Sequence, residues 1–99
     1  MAKENTTSNT GYSVYDTFEG TLTAVTHAEL SFINIKRGRS VEIKNDSKKD
    51  ALKVYINGFG KITINAGETW VCNLLIIDSI TLENSSSTPV PYRVLILGV

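Results

Sequence analysis

The chain reads as an all-β protein: a single antiparallel β-sandwich, jelly-roll-like, with eight or nine short strands. Three observations predict it. Apolar and polar residues alternate in short runs, as where Leu52, Val54 and Ile56 interleave with Lys53 and Tyr55. Turn-forming residues separate these runs at close intervals, among them Asn57-Gly58, Ala66-Gly67-Glu68 and the polar stretches 45–50 and 84–89. No segment carries a convincing amphipathic helical period.

Residues 1–11 are small and polar, rich in Thr, Ser and Asn, and bury too little apolar surface to offset their ordering entropy, so a flexible arm is expected there. The sandwich domain then spans 12–99. Tyr12, Val14 and Phe18 suggest a first strand, and Thr21 to Thr26 and Leu30 to Ile35 suggest two more. Gly38 breaks the run. Ser40 to Lys44 alternates with Val41 and Ile43 on one face, and Asn45 to Asp50 reads as a solvated hairpin loop. Asn57-Gly58 marks a hairpin, because both residues take positive φ and match the strand twist. Lys61 to Asn65 supplies its second strand. Beyond the Ala66-Gly67-Glu68 turn, Thr69 to Cys72 forms a short strand and Ile76 to Glu83 a longer one. Tyr92 to Leu97 is the last, with Pro89 and Pro91 limiting its backward extension.

Composition bounds the function. Ninety-nine residues suit one domain with one core, and ten basic side chains balance ten acidic ones, so no overall field draws the chain to nucleic acid or an anionic membrane. The densest basic cluster, Lys36, Arg37 and Arg39, reads as a charged strand end rather than a nucleic-acid contact. Cys72 has no partner cysteine, which excludes an intrachain disulfide. Met1 to Thr10 holds no apolar stretch, so cytoplasmic synthesis without a secretory signal is expected. The longest strongly apolar run, Leu74 to Ile77, is far too short to cross a membrane as a helix. The sequons at Asn5, Asn45 and Asn84 then read as Asn- and Ser-rich turns.

Reaction chemistry is not evident. His27 stands alone without a second ligand at zinc spacing, Cys72 is read as a packed thiol, and the two lysines in 46–50 defeat a calcium loop. The carboxylates form no discriminating pair, and the glycines fall at turns rather than in a phosphate-binding loop. No catalytic, cofactor-binding or metal-binding residue is therefore assigned, and no enzyme activity or cofactor is expected. Trp70 shares parity with Cys72 and faces the core, whereas Tyr55 projects outward.

Two strands break the usual alternation. Leu74-Leu75-Ile76-Ile77 and Val94-Leu95-Ile96-Leu97 are apolar on both faces, and a face left bare invites association. Tyr55, Leu75, Ile77, Tyr92, Leu95 and Leu97 are accordingly the candidate residues of an oligomer or partner interface.

The order of motifs carries a resemblance. Val41-Glu42-Ile43-Lys44-Asn45-Asp46-Ser47, Leu52 to Gly58, Ile64-Asn65-Ala66-Gly67-Glu68-Thr69, Asp78-Ser79-Ile80-Thr81-Leu82 and Pro91-Tyr92-Arg93-Val94-Leu95 together resemble small β-sandwich virion structural proteins of tailed bacteriophages. The likeness spans about Ser40 to Gly98. It implies a non-enzymatic capsid decoration protein, located in the virion, synthesised in the host cytoplasm, and trimeric, clamping capsomer joints on the outer surface of a phage head. The alternative it implies is a tail or fibre module binding a host carbohydrate or receptor through Tyr55, Trp70 or Tyr92.

Overall fold

The computed structural model describes residues 14–99, apart from the side chains of Leu74 and Leu75. The expected arm at 1–11 lies outside the described residues. Eight strands follow one another: β1 (Val14–Leu22), β2 (Thr26–Glu29), β3 (Gly38–Asn45), β4 (Leu52–Ile56), β5 (Phe59–Ile64), β6 (Thr69–Ile77), β7 (Ile80–Asn84) and β8 (Val90–Gly98). They form two four-stranded antiparallel sheets, β1-β8-β3-β6 and β2-β7-β4-β5. This is the strand order of a jelly roll, in line with the jelly-roll-like sandwich expected from the sequence.

Among these strands only β4 and β5 are consecutive within one sheet. Their turn is the expected one, with Asn57 at φ 56° and Gly58 at φ 78°, the left-handed pair that a two-residue hairpin needs. The other connections cross between sheets. Asn45 to Asp50 is therefore a corner and not a solvated hairpin loop, and Asn45 and Ser47 are buried in it.

Most of the fully buried inward positions are aliphatic. Leu22, Val41, Ile43, Val94 and Ile96 from one sheet meet Leu52, Val54, Ile64, Ile80 and Leu82 from the other, all buried. Each such side chain contributes roughly 1.5–3 kcal/mol on burial. Close approach fixes Gly98, where an added Cβ would stand 2.0 Å from the Arg37 carbonyl oxygen. Gly38 lies in the same crowded corner, 2.9 Å from Ile96 Cγ2 by the same construction.

Several boundaries differ from expectation. Leu30 to Ile35 is a loop rather than a strand, and β1 absorbs the start of the Thr21–Thr26 segment. The expected Ile76–Glu83 strand is cut at Asp78-Ser79, where the chain passes from β6 to β7. β8 begins at Val90 in spite of Pro91, whose carbonyl accepts from the Asp46 N–H at 2.9 Å. At the second residue of a strand the missing N–H costs the ladder little.

Side-chain amides hold the corners. Asn45, buried at the end of β3, donates from Nδ2 to the carbonyls of Asp50 (2.8 Å) and Ile64 (2.9 Å) and accepts from the Ser47 N–H at 2.9 Å. Asn84, buried at the end of β7, donates to the carbonyls of Leu22 (3.2 Å), Thr23 (3.1 Å) and Thr88 (2.8 Å) and accepts from the Ser86 N–H at 2.9 Å. The two corners touch: the Thr88 hydroxyl donates to the Asp50 carboxylate. Both asparagines thus make the Asx turn that their N-x-S sequences suggest.

At the opposite end Asp16 replaces the amide. Only 3% exposed, it points inward from β1 and accepts from the backbone N–H groups of Ile33, Asn34 and Ile35 at 3.0–3.1 Å and from Asn34 Nδ2 at 3.0 Å. Burial alone pushes its carboxyl up, but the donors from Ile35, Asn34 and Ile33 outweigh that and hold it below the ordinary aspartate value. These bonds keep 30–35 out of a sheet ladder.

Two outcomes follow. Asn84→Ala leaves buried carbonyls without donors and is expected to lower unfolding free energy by about 2–4 kcal/mol, read as a shifted denaturant midpoint at unchanged slope. Because the folded Asp16 value is depressed, its contribution is complete above the unfolded value of about 3.9 and is lost as pH falls through the lower folded value. Asp16→Asn is expected to destabilise the protein at neutral pH and to flatten the acid side of a stability-against-pH curve; an unaltered acid limb would assign acid sensitivity to other carboxylates.

Candidate functional site

With the space between the sheets filled mainly by aliphatic side chains, most of the charged groups are carried by the two outer faces. Outward parity on the β1-β8-β3-β6 sheet arranges them in rows set by the strand register. One row runs Tyr15, Leu97, Ser40, Asn73; the next Thr17, Leu95, Glu42, Val71; the third Glu19, Arg93, Lys44, Thr69. The first two rows hold the apolar members: Tyr15 is 60% and Val71 58% exposed, while Leu95 and Leu97 are half-buried. The third row is charged.

Between these rows lies an open depression of about 340 Å³, walled by Thr17, Glu19, Glu42, Lys44, Arg93 and Leu95. Arg93 grips Asp46 in a two-point contact, Nε to Oδ2 at 2.8 Å and the second nitrogen to Oδ1 at 3.0 Å. The Arg93 hydrogen bond, backed by its charge, overcomes desolvation and holds the Asp46 carboxyl below its ordinary value. Lys44 donates to the Gly67 carbonyl at 2.8 Å. The depression is thus balanced in charge, two acidic groups facing two basic ones whose heads are already tethered.

The other outer face carries His27, Glu83, Lys53 and Thr63 in register, beside Glu29, Thr81 and Tyr55. The Tyr55 hydroxyl donates to Glu83 Oε1 at 2.7 Å, and that bond, with burial and the carboxylate charge, raises its pKa. Lys53 donates to the Ser85 hydroxyl. His27 is exposed. Among the described residues no group of three or more His, Cys, Asp and Glu stands close enough to hold a metal ion, and no helix is long and apolar enough to cross a membrane.

The six interface candidates do not form one surface. Leu95 and Leu97 lie together on the outer face of the first sheet, whereas Tyr55 faces outward from the second. Ile77 is fully buried in the core and is withdrawn from any surface. Tyr92 also points inward, half-buried against the core over Gly20, so it is no exposed platform. The Leu75 side chain is outside the described residues. Trp70 and Cys72 pack against the core as their parity implies. Tyr15 and Val71 are additions that sequence reasoning passed over; both alternate with inward neighbours, Asp16 and Cys72, and that parity was the available signal.

No protein-family model and no curated protein sequence matches the chain. Solved structures do. The cupin domain of an XRE-family transcriptional regulator from Enterobacter cloacae superposes with a TM-score of 0.61 at 23% identity, covering 83% of this chain and 79% of that one. A de novo designed double-stranded β-helix gives 0.58 at 22%, over 80% of this chain and 95% of the design. A cupin protein from Bacteroides fragilis gives 0.58 at 14%, over 94% and 74%. These likenesses establish the fold as the cupin type of jelly roll. They overturn the expectation of a phage capsid decoration protein, and with it the tail- or fibre-module alternative, since the matching folds are cupin domains rather than virion components. The physical reason is that motifs behind that resemblance, such as the Asn57-Gly58 hairpin and the Asn45-Asp46-Ser47 turn, serve the turns and corners of this strand order whatever the function.

Proposed function

We propose that the chain is a non-enzymatic interaction module that works as a homodimer through the outer face of the β1-β8-β3-β6 sheet. The observation that carries this reading is strand β8, apolar on both sides. Val94 and Ile96 fill the core while Leu95 and Leu97 face outward, with Tyr15 beside Leu97 and Val71 beyond Glu42 on the far side of β3. Aliphatic side chains standing on a sheet surface gain most when a second apolar surface covers them. Glu19 and Glu42 beside Lys44 and Arg93 give the same face both signs of charge, the condition for a twofold contact in which one patch meets its own copy.

The non-enzymatic part rests on where the polar groups are employed. The buried polar residues Asp16, Asn45, Ser47 and Asn84 all bond to backbone groups of the loops, and the inter-sheet space is occupied by the core. A reaction centre there would need both room and uncommitted donors.

Size-exclusion chromatography with light scattering tests the reading. A mass of two chains is expected at micromolar concentration. Leu95→Lys is expected to weaken association on the order of ten- to a hundredfold while leaving the β-sheet circular dichroism unchanged. A wild-type protein that stays monomeric under those conditions would sink the proposal.

A further inference from the structure

Asn57 does more than turn the hairpin. Its Nδ2 donates to the Ile76 carbonyl at 3.0 Å, and its Oδ1 accepts from the backbone N–H groups of Asp78 (2.6 Å) and Ser79 (3.1 Å). Its own N–H donates to the Ser79 carbonyl at 2.9 Å. One residue therefore fastens the β4–β5 hairpin to the β6–β7 corner, directly beside the fully buried Ile77 and Ile80.

The residue after it is Gly58, with nothing within 4 Å of the position a Cβ would take. An amide side chain preceding a glycine, whose lack of a side chain leaves its nitrogen open to approach in the unfolded chain, has a spontaneous reaction open to it. We propose that Asn57 is a deamidation site that the fold keeps closed, and that its reaction unfastens this corner. The Gly58 backbone nitrogen, losing its proton, attacks Asn57 Cγ; the Cγ–Nδ2 bond breaks and the nitrogen leaves as ammonia, closing a five-membered imide. Water then opens the imide at one of its two carbonyls. Opening at the former main-chain carbonyl leaves an iso-aspartyl residue, and opening at Cγ leaves aspartate. No oxidant or reductant is consumed.

The attack requires Cγ to swing onto the Gly58 nitrogen, which the three side-chain bonds oppose. The reaction therefore proceeds from the opened corner, at a rate set by how often that corner opens. Either product removes the only nitrogen on this side chain able to donate to Ile76. The iso-aspartyl product also puts an extra methylene into the main chain of a two-residue turn whose length fixes the pairing of Val54 with Ile62 and Lys53 with Thr63.

The test is to hold the whole protein at mildly alkaline pH, folded in buffer and unfolded in urea, and to follow peptide 57–58 by mass mapping for a gain of about 1 Da. The unfolded chain is expected to lose the Asn57 amide about tenfold faster or more. Equal rates in the two states would overturn the gating. The iso-aspartyl form, separated by ion exchange and refolded, is expected to unfold at a lower temperature than the parent; an unchanged melting temperature would overturn the unfastening. Failure of that form to refold, beside a parent that refolds from the same urea, supports the unfastening equally.

Discussion

A jelly roll exchanges strands between its two sheets at nearly every connection, and each exchange strands backbone N–H and C=O groups where no ladder can reach them. Their pairing is the constraint on which the rest of this structure depends. A buried, unpaired peptide group costs about 1–3 kcal/mol, so a few neglected corners would erase the net stability of a domain this size. Four side chains answer it. Asn45 and Asn84 close one end, Asn57 and Asp16 the other. Three are amides because an amide can donate to an orphan carbonyl and accept from an orphan N–H at once. Asp16 is a carboxylate because the 33–35 backbone presents donors, with Asn34 Nδ2 adding a fourth contact. With the corners satisfied, the aliphatic inward faces can pack without polar interruption.

Legibility in the sequence followed the range of the interaction. The Asn57-Gly58 hairpin is local, its turn chemistry lies in two adjacent residues, and it was fully readable. So were Val41 and Ile43 on one face of β3, and the inward parity of Trp70 and Cys72. Phe32, Ile33 and Ile35 read as a strand because their composition is that of one, yet the N–H groups a strand would give to a neighbour go to Asp16, 17–19 positions away. Nothing near Leu30 in the chain announces that capture. The same holds for the interface candidates. A doubly apolar strand shows that one face is bare but not which sheet carries it, and only the register separates Leu95 and Leu97, outward, from Ile77, inward.

The similarity to a de novo designed double-stranded β-helix, over 95% of that design, clarifies how little the fold says about purpose. Patterning and corner chemistry suffice to specify this architecture, and cupin domains of different description share it. The side chains are distributed unevenly: mainly aliphatic in the inter-sheet space, and mixed apolar and charged on the outside of the β1-β8-β3-β6 sheet. The rows that β1, β8, β3 and β6 align set the apolar and charged members of that face side by side.

The buried asparagines also restrict how the protein can be made. Asn45-Asp46-Ser47 and Asn84-Ser85-Ser86 fit the acceptor pattern for N-linked sugars, and a glycosylating machinery acts on the extended chain before the corners close. A sugar on either Nδ2 would remove a donor that the folded corner uses and place a bulky hydrophilic group at a position with 0% exposure. Production through a eukaryotic secretory pathway would expose both acceptor patterns to that machinery, and a sugar at either one is incompatible with its closed corner.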